Sequence, residues 1–158
     1  MGSEGAEPVR RFELGTDGPS CILVGVDGSQ TSMHALAYAV GLARRQHSRL
    51  VAVFVRTPAR GMFTVTDRTG VVLEAHLEAQ DEIETELRGL FCRSTEWGVE
   101  AELVVTDGDP LSRLSNIAEQ KRADAVIVGA STALGHRLAG SLAVRLVRSR
   151  RWPITVVP

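Results

Sequence analysis

The sequence holds little of what marks a specialised protein. Its 158 residues include two cysteines, Cys21 and Cys92, which form no recognisable disulfide framework. Reduced thiols in a cytoplasmic protein are the simplest expectation. No apolar run approaches the roughly 18 residues that a membrane span requires, so no membrane partner is expected. The N-terminal MGSEGAEPVRRFELGTDGPS lacks an apolar core and does not read as a secretory signal. Formal net charge is only −1, which leaves no global electrostatic footprint for nucleic acid. The cluster Arg145, Arg148, Arg150 and Arg151 is explained by a helix C-terminus and by solubility. His34, His47, His76 and His136 have no spacing typical of a metal site. No Gly-x-Ser-x-Gly elbow or other nucleophile motif is present. Aromatic residues make up 4% of the chain, and Trp97 and Trp152 read as packing or interface residues.

What is present is alternation. Composition is ordinary for one globular domain with a fair-sized core, 44% hydrophobic and 23% charged. Residues 1–20 are Gly-, Glu- and Ser-rich and read as a mobile leader, with the domain expected over 21–158. Cys21 to Val26 is a continuous apolar run, as in a strand covered on both faces. Asp27-Gly28-Ser29 turns the chain, and Ser29 or Thr31 caps a helix with the stripe Met33, Leu36, Ala37, Val40 and Ala43. Leu50 to Val55 is a second strand, and residues 57–68 are a loop. A long helix from Thr69 to Thr95 follows, with the stripe Leu73, Leu77, Gln80, Ile83, Leu87, Leu90 and Phe91.

Val99 to Val105 alternates apolar and acidic residues, which suits an edge strand with one wet face. Asp109-Pro110 is an N-cap with proline at the first helical position, and Leu111, Leu114, Ile117 and Ala118 form the stripe behind it. Asp124 to Val128 is a strand, Ser141 to Arg150 a short helix, and Ile154 to Val157 a last strand introduced by Pro153. Strict β-α alternation implies a parallel sheet with helices on both faces and right-handed crossovers. Between the fourth strand and the fourth helix lies GASTALGHRLAGS, Gly129 to Ser141. A glycine-bearing turn leading into a helix N-terminus is a place to hold phosphate.

Four signatures, in order, carry a family resemblance: Ile22-Leu23-Val24-Gly25-Val26-Asp27-Gly28-Ser29, Gly108-Asp109-Pro110, Ala123 to Gly129, and Gly140-Ser141 followed after eleven residues by Pro153-Ile154-Thr155-Val156-Val157. From Cys21 to Pro158 the chain resembles the universal stress protein family. The resemblance implies a single doubly wound five-stranded parallel α/β sheet of order 3-2-1-4-5. Strands 1 and 4 then flank a topological switch point, where open α/β sheets bind ligands. It implies ATP or another adenine nucleotide as cofactor, with Asp27 near the nucleoside and Val55 offering main-chain groups to adenine. Gly129, Thr132, Gly140 and Ser141 would lie around the phosphates. Read from the residues alone, Asp27 equally serves as a turn cap, and Val55 as an ordinary core strand residue. The resemblance also implies a homodimer through the exposed apolar edge Ile154 to Val157.

One departure stands out. Nucleotide-binding members have Gly, two residues, Gly, nine residues, then Gly-Ser or Gly-Thr. Here Thr132 takes the place of the second glycine, and seven residues separate it from Gly140. A β-branched residue resists positive φ, and a shorter arch wraps fewer phosphates. Ser131, His136 and Arg137 offer polar groups in compensation. Three outcomes stay open: ATP in altered geometry, a smaller ligand such as AMP, or an empty connection. The leading functional expectation is a cytoplasmic stress-response module that binds and dimerises without turnover. The alternatives are a dimeric scaffold with no nucleotide, and a slow ATPase or nucleotide hydrolase in which Asp27 positions a metal or water.

Overall fold

The computed structural model describes residues 20–58, 70–130 and 141–158. The elements follow in the order β1 (Cys21–Val26), α1 (Gln30–Gln46), β2 (Arg49–Arg56), α2 (Val71–Phe91), a 3₁₀ turn (Ser94–Trp97), β3 (Ala101–Asp107), α3 (Pro110–Gln120), β4 (Ala125–Gly129), α4 (Ser141–Ser149) and β5 (Ile154–Val157). The five strands form one sheet of order β3-β2-β1-β4-β5. All four pairings are parallel, with Val24 opposite Ala52 on one side of β1 and opposite Ile127 on the other. This is the doubly wound architecture expected from the alternation, and β3 is an edge strand as expected.

The apolar runs of the central strands follow from burial on both faces. Ile22, Val24, Leu50, Ala52 and Ile127 pack with α1 and with Leu87 of α2. Leu23, Val51, Val53, Val126 and Val128 pack with Leu114 and Ile117 of α3 and Leu146 of α4. Ile22, Leu23 and Val24 are completely excluded from solvent. Burying a side chain of this size stabilises a fold by about 1.5–3 kcal/mol, so the paired strands carry most of the core.

Helix limits track the capping residues. Ser29 caps α1, accepting at 3.2 Å from the Ser32 N–H, and His47 ends it in the left-handed region. Asp109 caps α3, accepting from the Ser112 N–H at 3.0 Å, with Pro110 in the first turn. Two stripes differ from expectation. In α1 the buried face runs through Ser32, Ala35, Leu36, Ala39, Val40 and Ala43, and Ala37 is exposed. Ala37 lies about 100° round the helix from Leu36, past the edge of that face. In α2 Leu77 is 45% exposed, on the flank away from the crevice described below. That helix also ends at Phe91 rather than Thr95. Trp97 turns back edge-on to Phe91 at 4.9 Å between ring centroids, and Gly98 closes the 3₁₀ turn with a φ of 65°.

Of the expected leader, 1–20, residues 1–19 lie outside the described residues, as do residues 59–68 of the expected loop, 57–68, and Thr69, the expected start of the helix after it. At the start of the domain the Ser20 and Cys21 N–H groups and the Ser20 hydroxyl all donate to Asp124 Oδ2, at 2.9–3.0 Å. This ties the entry of β1 to that of β4.

Candidate nucleotide crevice

β1 and β4 are neighbours, and their onward connections lead to opposite halves of the sheet. The loops therefore part above their C-terminal ends and leave a crevice. It encloses about 600 Å³, within the range of small-molecule sites. Asp27 and Ser29 after β1, Val55 and Thr57 at the end of β2, and Gly129 and Ala130 at the end of β4 all line it. His76, Ala79, Gln80 and Ile83 of α2 form one wall, and Pro110, Leu114, Leu142 and Ala143 form the other. The lining is mainly apolar. Among the described lining residues Asp27 is the one ionised carboxylate, and His76 is the one other titratable group.

The turn at Asp27 is built by local hydrogen bonds. Asp27 Oδ1 accepts from the Ser29 N–H at 2.9 Å, and the Asp27 N–H donates to Ser32 Oγ at 3.2 Å. Gly28 has a φ of +79°, and a β-carbon there would lie 2.8 Å from Ile83. Glycine is thus required both by the turn and by the close approach of α2. Asp27 as a residue keeps contact with solvent, while it also lines the crevice. Partial burial between the crevice walls is the largest influence on its carboxyl and pushes it up. The hydroxyl and N–H of Ser29, the hydroxyl of Ser32 and the N–H of Asp27 itself outweigh that and hold it below the ordinary value of 3.8. Asp27 is therefore a carboxylate at neutral pH, an acceptor suited to hydroxyl donors such as a sugar diol.

Gly129 ends β4 directly beneath the first turn of α1. A β-carbon there would lie 2.6 Å from both Ser32 N and Thr31 C. The sequence reading tied this glycine to close approach of an anion; the structure gives it a packing reason as well. A hydroxyl chain fixes the same junction. Thr31 Oγ1 donates to the Ala130 carbonyl at 2.7 Å. The Ser29 and Thr31 hydroxyl oxygens are in turn 3.3 Å apart. The start of α1 is thereby stitched to the residue from which the glycine loop departs.

Val55 lies one residue past the last β1–β2 rung, Val26 opposite Phe54, whereas β2–β3 pairing continues to Arg56 opposite Asp107. The Arg56 carbonyl is turned toward β3, accepting from the Gly108 N–H at 2.9 Å. Successive carbonyls of a strand point to opposite edges, so that of Val55 faces the β1 side, where no rung remains. Beyond it, Gln80 brackets Thr57. Its Oε1 accepts from the Thr57 N–H at 2.8 Å, and its Nε2 donates to the Thr57 carbonyl at 3.3 Å. Arg56 pins α2 from the outside through Glu84 at 2.8 Å.

Of the residues singled out from sequence, Asp27, Val55 and Gly129 meet in this crevice. Ser141 is the first residue of α4, whose next two residues line it. Thr132 and Gly140 lie outside the described residues, as do Ser131, His136 and Arg137. The sequence reading did not single out Thr31, His76 or Gln80 as crevice residues. Gln80 had a visible signal, a polar side chain within an apolar helical stripe; Thr31 and His76 had none, since Ala130 and Thr57, which hold them at the crevice, are distant in sequence.

An open parallel α/β sheet with a crevice at its switch point defines the class: a doubly wound α/β protein. The profile of the universal stress protein family matches residues 21–158, and the chain belongs to that family. Universal stress protein YxiE of Bacillus subtilis is 29% identical over 145 residues, covering 86% of this chain and 97% of that protein. A solved structure of a universal stress protein family member from Burkholderia pseudomallei is 30% identical. It covers 88% of this chain and 96% of its own, with a TM-score of 0.65. A universal stress protein solved in complex with cAMP is 23% identical and matches in fold with a TM-score of 0.65, over 89% of this chain and 97% of its own.

Proposed function

We propose that this chain is a cytoplasmic stress-response module that binds an adenine nucleotide at the switch-point crevice and acts as a homodimer, without turnover. The observation that carries the reading is the meeting of Asp27, the free edge of Val55 and the start of α4 around one cavity of about 600 Å³. The base lies against the end of β2, the ribose hydroxyls donate to Asp27, and the phosphate lies toward Gly129, Thr132, Gly140 and Ser141. The start of α4 favours negative charge there. The cAMP complex of a family member is consistent with a ligand of this size. The shortened spacing from Thr132 to Gly140 favours one phosphate over three, so AMP should bind more tightly than ATP.

A second reading, a dimeric scaffold that holds no nucleotide, is favoured by one observation. The absent β-carbon of Gly129 is fully explained by packing on α1, with no ligand required. Mass spectrometry of small molecules released from purified protein, followed by calorimetric titration with AMP, ADP and ATP, separates the two. Co-purifying adenine nucleotide, or heat on AMP titration that Asp27→Ala reduces about tenfold in affinity, is the expected outcome. An empty protein with no heat from any of the three leaves the scaffold. Divalent-ion-dependent turnover abolished by Asp27→Ala would instead establish a hydrolase.

A further inference from the structure

Gln80 and Leu87 are the buried residues of α2. Leu87 belongs to the core; the amide of Gln80, 7% exposed, needs another reason to be there. A buried primary amide is tolerated when both its ends are bonded, and both ends of this one go to the main chain of Thr57. The Thr57 N–H can only donate, so the atom 2.8 Å from it is Oε1. The amide nitrogen then donates to the Thr57 carbonyl at 3.3 Å. His76 Nε2 lies 3.0 Å from the same carbonyl and 2.9 Å from the amide nitrogen, whereas the Thr57 N–H is held by Gln80.

The two edges of β2 alternate along the strand. The Arg49 N–H donates to the Ser20 carbonyl, on the β1 side, and the Leu50 N–H donates to the Glu100 carbonyl, on the β3 side. Odd-numbered residues thus face β1 and even-numbered ones face β3, as the Arg56 carbonyl does through Gly108. Val55 and Thr57 share the β1 edge. There β1 has already ended: its last rung is Val26 opposite Phe54, and the Asp27 N–H turns away to Ser32 Oγ at 3.2 Å. The Gln80 amide stands in for the missing strand at Thr57. The Val55 carbonyl is left between that amide and the end of β1, at the crevice that both residues line.

We propose that Gln80 is the positioning residue of the base pocket. Its amide keeps the end of β2 extended beyond its strand partner, so the Val55 carbonyl stands as a fixed acceptor that selects a base bearing an amine. The proposal rests on the nucleotide-binding reading, in which the base lies against the end of β2. A 6-aminopurine donates to such a carbonyl. A purine without the amine has nothing to donate there, and a 6-oxopurine sets oxygen against oxygen. Gln80 acts through Val55 rather than on the base, since both ends of its amide are engaged by Thr57.

The test is NMR-detected titration of the full chain, as wild type, Q80M and Q80L, with AMP and with purine riboside 5′-monophosphate, which lacks the amine. Wild type should prefer AMP by about three- to tenfold, the size of one hydrogen bond. Q80M, matched in length but without the amide, should bind the two ligands alike and hold the amine-free one as tightly as wild type does. A general loosening of the fold would weaken both ligands together and leave the preference in place. A preference that survives in both variants, or its absence from wild type, would overturn the role of Gln80 while leaving nucleotide binding intact. No binding of either ligand by wild type would overturn both readings. Hydrogen exchange of wild type checks the clamp without any variant: the Thr57 N–H should be protected like the β2 amides. Exchange at the rate of an open chain would contradict it.

Discussion

A β-carbon at position 129 would sit 2.6 Å from the backbone of α1, and backbone cannot yield as a flexible side-chain tip can. Gly129→Ala should therefore destabilise the protein by about 1–3 kcal/mol, read as a lower urea midpoint at unchanged slope. That a glycine closes β4 was legible in the sequence. Its contact was not, because Thr31 and Ser32 lie far away along the chain and meet it only after the β1–β4 pairing forms. Asp27 was equally visible as the residue closing β1, but the lowering of its carboxyl against the effect of burial comes from Ser29 and Ser32 at the start of α1. Since the fold holds its carboxyl below 3.8, folding favours the ionised form. That contribution is complete above the unfolded value of about 3.9 and is lost as pH falls through the lowered folded value. Asp27→Asn should thus flatten the acid limb of stability below about pH 4 in urea midpoints measured across that range. The flattening should be partial, because Asp109, held low by the N–H and hydroxyl of Ser112, remains in the variant.

At the scale of elements, β5 is the exposed feature. It pairs only with β4, and Ile154 to Val157 are each half-buried. The carbonyls of Pro153 and Val157 accept from Val126 and Ala130 and so point inward. By alternation the N–H and C=O of Ile154 and Val156 point outward, free to pair with a second copy. Val156→Pro removes one outward N–H without touching the β4 bonds, and proline tolerates an edge position. Sedimentation should show a dimer for wild type and a monomer for the variant, with the folded circular dichroism spectrum kept. A variant that stays dimeric would place the interface elsewhere. Strand and helix identity was legible throughout because apolar runs, Ser29 and Asp109-Pro110 are local signals. The end of α2 was not, since Phe91 meets Trp97 only through a 3₁₀ turn that no proline announces. Ala37 and Leu77 misled because small or isolated apolar residues fit either side of a stripe.

For the whole molecule, alternation plus the handedness of crossovers restricts the topology, and the family resemblance supplied the strand order 3-2-1-4-5 that the sheet shows. That order decides where a crevice opens, and the end residues of β1, β2 and β4 are carried to it by pairing register alone. Of the α2 wall only Gln80 left a signal in the sequence, because His76 becomes a crevice residue through its approach to Thr57. The most direct test of the crevice as a nucleotide site is a ¹H–¹⁵N titration of the full chain with AMP. Saturable shifts centred on Asp27, Val55, Thr57 and Gly129, with the sheet's opposite edge near Asp124 and Arg49 unmoved, are expected. No shifts at millimolar AMP, or shifts centred on that opposite edge, would contradict it.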